Sequence, residues 1–143
     1  MKQYQSGAAR RAGGFTLVEL LVVLAILALL AGLVGPRLMN QFGGAKVKTT
    51  RLQIEELTKT LDVYKLDVGS YPTTEEGLQA LMTKPSAAKN WNGPYMKGQL
   101  PQDPWNKPYQ YALSAGGEVE ITSLGADGAP GGEAENADIT NKK

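Results

Sequence analysis

The chain of 143 residues contains no cysteine and no histidine. Without cysteine there is no disulfide staple and no thiolate metal site. Without histidine the commonest general base and the commonest transition-metal ligand are missing. Charge is nearly balanced, at a net +1. That argues against a nucleic-acid binder, whose affinity rests on clustered Lys and Arg. No GxSxG elbow, phosphate-binding loop or metal-hydrolase signature occurs. Asp127 and Glu133 could be imagined as a carboxylate pair, but no apolar stretch surrounds them to raise one pKa. The composition therefore points away from catalysis.

Charge is scarce in one place above all. From Phe15 to Val34 the single charged residue is Glu19. A bilayer core of about 30 Å takes roughly 20 apolar residues as a helix. Residues 1–14 carry Lys2, Arg10 and Arg11 and no acid. An ordinary secretory signal has a shorter apolar region, followed by small residues at its cleavage point. Here Gly13 and Gly14 precede the apolar run instead. A cut at the glycines would leave the apolar segment on the mature protein. It would also create a cation, the α-amino group of Phe15, close to Glu19. A carboxylate at membrane depth costs about 2.5–3.5 kcal/mol on insertion scales and calls for a partner. In a stack of identical helices, one subunit's amine could meet its neighbour's Glu19 and fix their axial offset.

The helical pattern continues past Gly32, Gly35 and Pro36, a cluster that predicts a bend or local unwinding inside an assembly. Gly43-Gly44 reads as a second weak point. Ile54, Leu57, Leu61, Tyr64 and Val68 then recur at spacings of 3, 4, 3 and 4, the stripe of an amphipathic helix. Gly69 is a stop signal. Thr73 and Glu76 form a capping-box pair predicting a short helix to about Met82, ended by Pro85. Residues 109–113 and 118–123 alternate as two strands of an antiparallel sheet. Trp91, Tyr95, Trp105, Tyr109 and Tyr111 could stack on sugars or bases. In so small a domain, large rings are needed to build a core, and packing is the stronger reading.

Residues 124–138, LGADGAPGGEAENAD, are acidic and glycine-rich, which suits either a solvated tail or an oxygen-rich cation loop.

The motif GGFTLVELLVV, residues 13–23, resembles the prepilin-peptidase site of type IV pilins and type II secretion pseudopilins. YPTTEEGLQAL, WNGPYMKGQLPQDPWNKPYQY and SLGADGAPGGEAENADI are similar to the major pseudopilins. Major type IV pilins usually close their C-terminal region with a disulfide; the absence of cysteine favours the pseudopilin. The resemblance implies an α+β, pilin-like fold: a long N-terminal α-helix on a small antiparallel sheet, with a C-terminal calcium-binding loop. It implies a leader over residues 1–14, cut between Gly14 and Phe15, with methylation of Phe15. Glu19 would be the assembly glutamate. A hydrophobic helix would span 15–36, its amphipathic continuation 37–69, and a periplasmic domain 70–143. Calcium would take the Leu124 carbonyl and Asp127, with Glu133, Glu135 and Asp138 competing for the rest. Ala134 and Asn136 stand where some relatives carry another acid.

The role implied is a structural subunit that polymerises into the periplasmic pseudopilus. The implied partners are its own copies, minor pseudopilins, the prepilin peptidase, and the inner-membrane assembly platform with its ATPase. The implied location is the bacterial inner membrane as a single-pass protein, then the pseudopilus. Two alternatives are a type IV or minor pilin for adhesion, motility or DNA uptake, and a tethered binding module that never polymerises.

Overall fold

The computed structural model describes residues 13–142. Lys2, Arg10 and Arg11 of the expected leader lie outside the described residues. Helix α1 runs over Leu17–Val68, followed by a 3-10 helix at Gly77–Leu81. Strands β1 (Gln110–Leu113), β2 (Val119–Ser123) and β3 (Ile139–Thr140) form an antiparallel sheet in the order β1-β2-β3. A single turn of 3-10 helix, Ala134–Asn136, lies between β2 and β3.

The chain divides into two units, residues 1–39 and 40–143. In the first, α1 is capped by Thr16, whose Oγ1 accepts the Glu19 N–H at 3.2 Å. This satisfies one of the free donors of the first turn, and the Glu19 carboxylate complements the positive end of the helix dipole. Every described side chain from Phe15 to Val34 is exposed. This helix is long and apolar enough to cross a membrane. The helical assignment continues unbroken through Gly32, Gly35 and Pro36 in the lone chain.

In the second unit, α1 buries one stripe. Ile54, Leu57, Leu61 and Tyr64 are at most 2% exposed, while Val68 is half-buried. The stripe extends backwards through Thr50, Val47 and Gly43 at the same helical period. Gly43 is thus a close-approach position and not a loose point: it is buried, and a Cβ there would run into the Glu135 side chain. Full burial of each leucine contributes about 1.5–3 kcal/mol. The stripe packs on Leu78, Ala80 and Leu81, on Tyr109 and Ile121, and on Ile139.

Gly69 stops the helix with φ +96° and donates its N–H to the Lys65 carbonyl at 2.8 Å. The expected capping box is present in both directions: Glu76 N–H to Thr73 Oγ1 at 3.2 Å, and Thr73 N–H to Glu76 Oε2 at 2.9 Å. The box opens onto a 3-10 helix ending at Leu81, not an α-helix. Gly77 at φ +58° turns the backbone out of the right-handed region immediately after the box, so no α-helix propagates.

The aromatic cluster is packing. Tyr109 is buried, and Trp91, Tyr95, Trp105 and Tyr111 pack against the core. Tyr95 meets Tyr64 and Trp91 edge-on at 5.6 and 5.7 Å. The Trp91 Nε1–H donates to the Ala80 carbonyl at 2.9 Å, and the Tyr111 hydroxyl to the Pro72 carbonyl at 2.7 Å. Trp91 and Tyr111, whose polar atoms are spent internally, are held in the core, whereas the Trp105 Nε1–H is buried with no partner among the described residues.

β3 has only two residues, and Asn141 lengthens its pairing with a side chain. Asn141 Oδ1 accepts the Ile121 N–H at 2.9 Å, and Nδ2 donates to the Val119 carbonyl at 2.8 Å.

Candidate functional site

Two places carry the expected functional residues, one in each unit. The first is the N-terminal motif. Residues 13–16 are outside any helix, and α1 begins at Leu17. Among the described residues nothing lies within 4 Å of where a Cβ would stand on Gly13 or Gly14, and Phe15 is 83% exposed. The Gly14–Phe15 peptide lies outside the helix. Glu19 is exposed and forms no ion pair among the described residues.

The second is the acidic loop. Residues 124–138 are a closed connection between β2 and β3, not a loose tail. The Ser123–Ile139 pairing shuts its mouth. The Ala126 N–H donates across it to the Glu135 carbonyl at 2.8 Å. The Asp138 Oδ2 accepts the Gly131 N–H at 2.9 Å, and Asp127 Oδ1 accepts the Ala129 N–H at 3.1 Å. Gly125, at φ +63°, lies against the main chain of residues 135–137, so a side chain there would collide with backbone. Ala134 adopts φ +54°, a left-handed conformation that costs a non-glycine residue about 1–2 kcal/mol.

The expected calcium ligands are only partly gathered. Leu124 and Asp138 line one open cavity of about 340 Å³ with Pro130. Asp127 and Glu133 do not line it, and Glu135 packs over Gly43. No group of three acidic side chains converges to hold a metal among the described residues. The donor set is nonetheless all oxygen, carboxylates and main-chain carbonyls, the chemistry a hard cation takes.

The residues that anchor this loop were not anticipated. Asp103 is 3% exposed and accepts three hydrogen bonds. Its Oδ1 receives the Trp105 and Lys107 N–H groups at 3.0 and 2.9 Å, and its Oδ2 the Ser123 hydroxyl at 2.6 Å. The first half of this was readable: Asp before Pro, folding onto its own backbone two residues on, is an Asx turn. The Ser123 partner, twenty residues away, was not.

Residues 37–142 match the family described as Type II secretion system (T2SS), protein G. The chain belongs to that family. Residues 9–35 match the prokaryotic N-terminal methylation motif. The chain is 46% identical over 136 residues to the type II secretion system core protein G of Pseudomonas aeruginosa, covering 92% of this chain and 96% of that protein. It is 46% identical over 137 residues to the protein of the same description in Vibrio cholerae, covering 92% of each. The crystal structure of the major pseudopilin from the type 2 secretion system of enterohaemorrhagic Escherichia coli superposes with a TM-score of 0.62 at 38% identity, covering 74% of this chain and 94% of that one. The α+β reading, with a long N-terminal helix and a small antiparallel sheet, holds. This is a structural family of pseudopilins, and the chain's methylation motif runs into a helix long and apolar enough to cross a membrane.

Proposed function

We propose that this protein is the repeating subunit of a periplasmic pseudopilus in type II secretion, growing to drive folded proteins across the outer membrane. The observation that carries this reading is the bare apolar half of α1, with Glu19 in its first turn and a non-helical Gly14–Phe15 bond ahead of it. The precursor sits in the inner membrane with Arg10 and Arg11 on the cytoplasmic side, following the positive-inside rule. Residues 70–143 face the periplasm. Prepilin peptidase cuts between Gly14 and Phe15, and the new amine is methylated.

In the filament, apolar helices pack centrally, and the Phe15 amine of one copy meets Glu19 of the next. Contacts of this head-to-tail kind do not close into a ring, and they generate a filament. Minor pseudopilins, the assembly platform and its ATPase complete the machine. Calcium is proposed at the acidic loop. The all-oxygen donor set supports it, as does the shared cavity of Leu124 and Asp138, with Asp127 and Glu133 as further oxygen donors. When bound, the ion would draw the loop's carboxylates and carbonyls together and tie the loop.

The test is to shear cells carrying the secretion genes, pellet filaments, and read the N-terminal residue by mass spectrometry. Pelleted wild-type protein starting at methylated Phe15 is expected, with Glu19→Ala processed but unassembled. Glu19→Ala filaments in wild-type amount would overturn the role of Glu19. Intact Met1 in wild type, with nothing pelleting, would overturn the subunit reading.

A further inference from the structure

Lys107 lies outside the acidic loop in sequence, on the turn before β1, yet its amine ends inside it. Nζ donates to the carbonyls of Gly125 at 3.2 Å and Ala126 at 2.7 Å. Room for it exists because residue 128 is glycine: a Cβ there would stand 2.6 Å from Nζ. The other end of Lys107 is fixed as well, by its N–H to Asp103 Oδ1 at 2.9 Å. Asp103 Oδ2 accepts the Ser123 hydroxyl, and Ser123 Oγ in turn accepts the Gly125 N–H at 3.3 Å. The links close a circuit from turn to strand to loop and back through the lysine stem.

The choice of partners is unusual for a lysine. Ammonium groups ordinarily reach for water or a carboxylate, and residues 124–138 hold Asp127, Glu133, Glu135 and Asp138 with no base of their own. Lys107 nonetheless forms no ion pair among the described residues. It is directed at two neutral main-chain oxygens, groups of the kind a bound cation takes. Hydrogen bonds from a charged donor are the stronger sort.

We infer that Lys107 is the built-in cation of the acidic loop, holding the Gly125–Gly128 turn folded without any metal. This goes beyond the calcium reading and stands if the loop binds no ion. Lys107 is a positioning residue: it acts through the carbonyls it holds.

Hydrogen–deuterium exchange on the full chain in detergent micelles, with EDTA present, tests it. Lys107→Met keeps the apolar stem and removes the charge. Exchange at residues 125–128 should quicken by about tenfold or more, the scale of one lost hydrogen bond to a charged group. Residues 57–61 of the core should stay protected. Lys107→Arg, which can reach two carbonyls, should restore the protection. A Met variant exchanging within about twofold of wild type would overturn the inference, because no local opening free energy would have been lost. So would an Arg variant as open as the Met variant, since the charge would then not be what matters. Calcium added to wild type reports on the metal separately: no response there, with an opened Met variant, removes the calcium proposal and leaves this one supported.

Discussion

Asp103→Ala is the sharpest test of how the acidic loop is mounted. The substitution deletes one carboxylate and strands three donors: the Trp105 and Lys107 N–H groups and the Ser123 hydroxyl. Ser123 is fully buried, while Trp105 and Lys107 are half-buried and can recruit water. Each buried donor left without a partner costs about 1–3 kcal/mol. Taking the buried hydroxyl at the middle of that range, about 2 kcal/mol, and the two water-accessible amides at about half a kcal/mol each gives about 3 kcal/mol. For a domain of this size, each kcal/mol moves the melting temperature by about 4–8 °C, so a fall of about 12–24 °C is expected. Trp91 and Trp105 supply a fluorescence signal for thermal unfolding of the full chain in detergent.

Asp103→Asn keeps an oxygen for the two amides and should fall much less. Ser123→Ala should cost clearly less on top of Asp103→Ala than alone, since both remove the hydroxyl–carboxylate bond and only the Gly125 N–H acceptor is then left to lose. A shift under about 4 °C for Asp103→Ala would refute the reasoning, being less than about 1 kcal/mol for three stranded donors. Strict additivity of the two substitutions would refute the shared network.

Burial pushes the Tyr109 and Tyr111 hydroxyls up to about 12, above the value of about 10 for an unfolded tyrosine. The unfolded chain therefore loses these protons first, and stability should be whole below pH 10 and fall as pH rises from 10 through 12. Melting temperatures across that range check it, and a flat profile would count against it. Ala134→Gly relieves the left-handed alanine and should raise stability by up to about 1 kcal/mol, read as a higher melting temperature. Excess calcium against EDTA should raise the melting temperature of wild type, by about 2.7 kcal/mol of stability at a hundred times the dissociation constant. An unchanged transition would dispose of the metal.

The parts readable in the sequence are those written in short-range pattern. The Ile54–Leu57–Leu61–Tyr64 stripe is a period, the Thr73–Glu76 box is a three-residue spacing, and both appear as expected. Residues 109–113 and 118–123 alternate, and strands β1 and β2 form there. The box did not reveal that Gly77 would divert the chain into a 3-10 turn, because a glycine is compatible with either outcome until its φ is known.

β3 escaped for a different reason. Two residues have no period, and its pairing is completed by the Asn141 amide, a contact with Val119 across 22 residues. The loop's anchors are likewise long-range: Lys107 meets Ala126 nineteen residues on. Such partners are selected by the finished fold. The order of residues 124–138 was hidden behind a composition that disordered tails share.

The bare apolar half of α1, from Leu17 to Val34, would make a subunit of the proposed filament a migrant between two oils. Acyl chains and leucine side chains are alike in polarity, so moving this segment from lipid to a bundle of its own kind changes water contact little. On the proposed function, entry into a filament and return to the bilayer would lie close in free energy, and the net direction would have to come from work done on the chain.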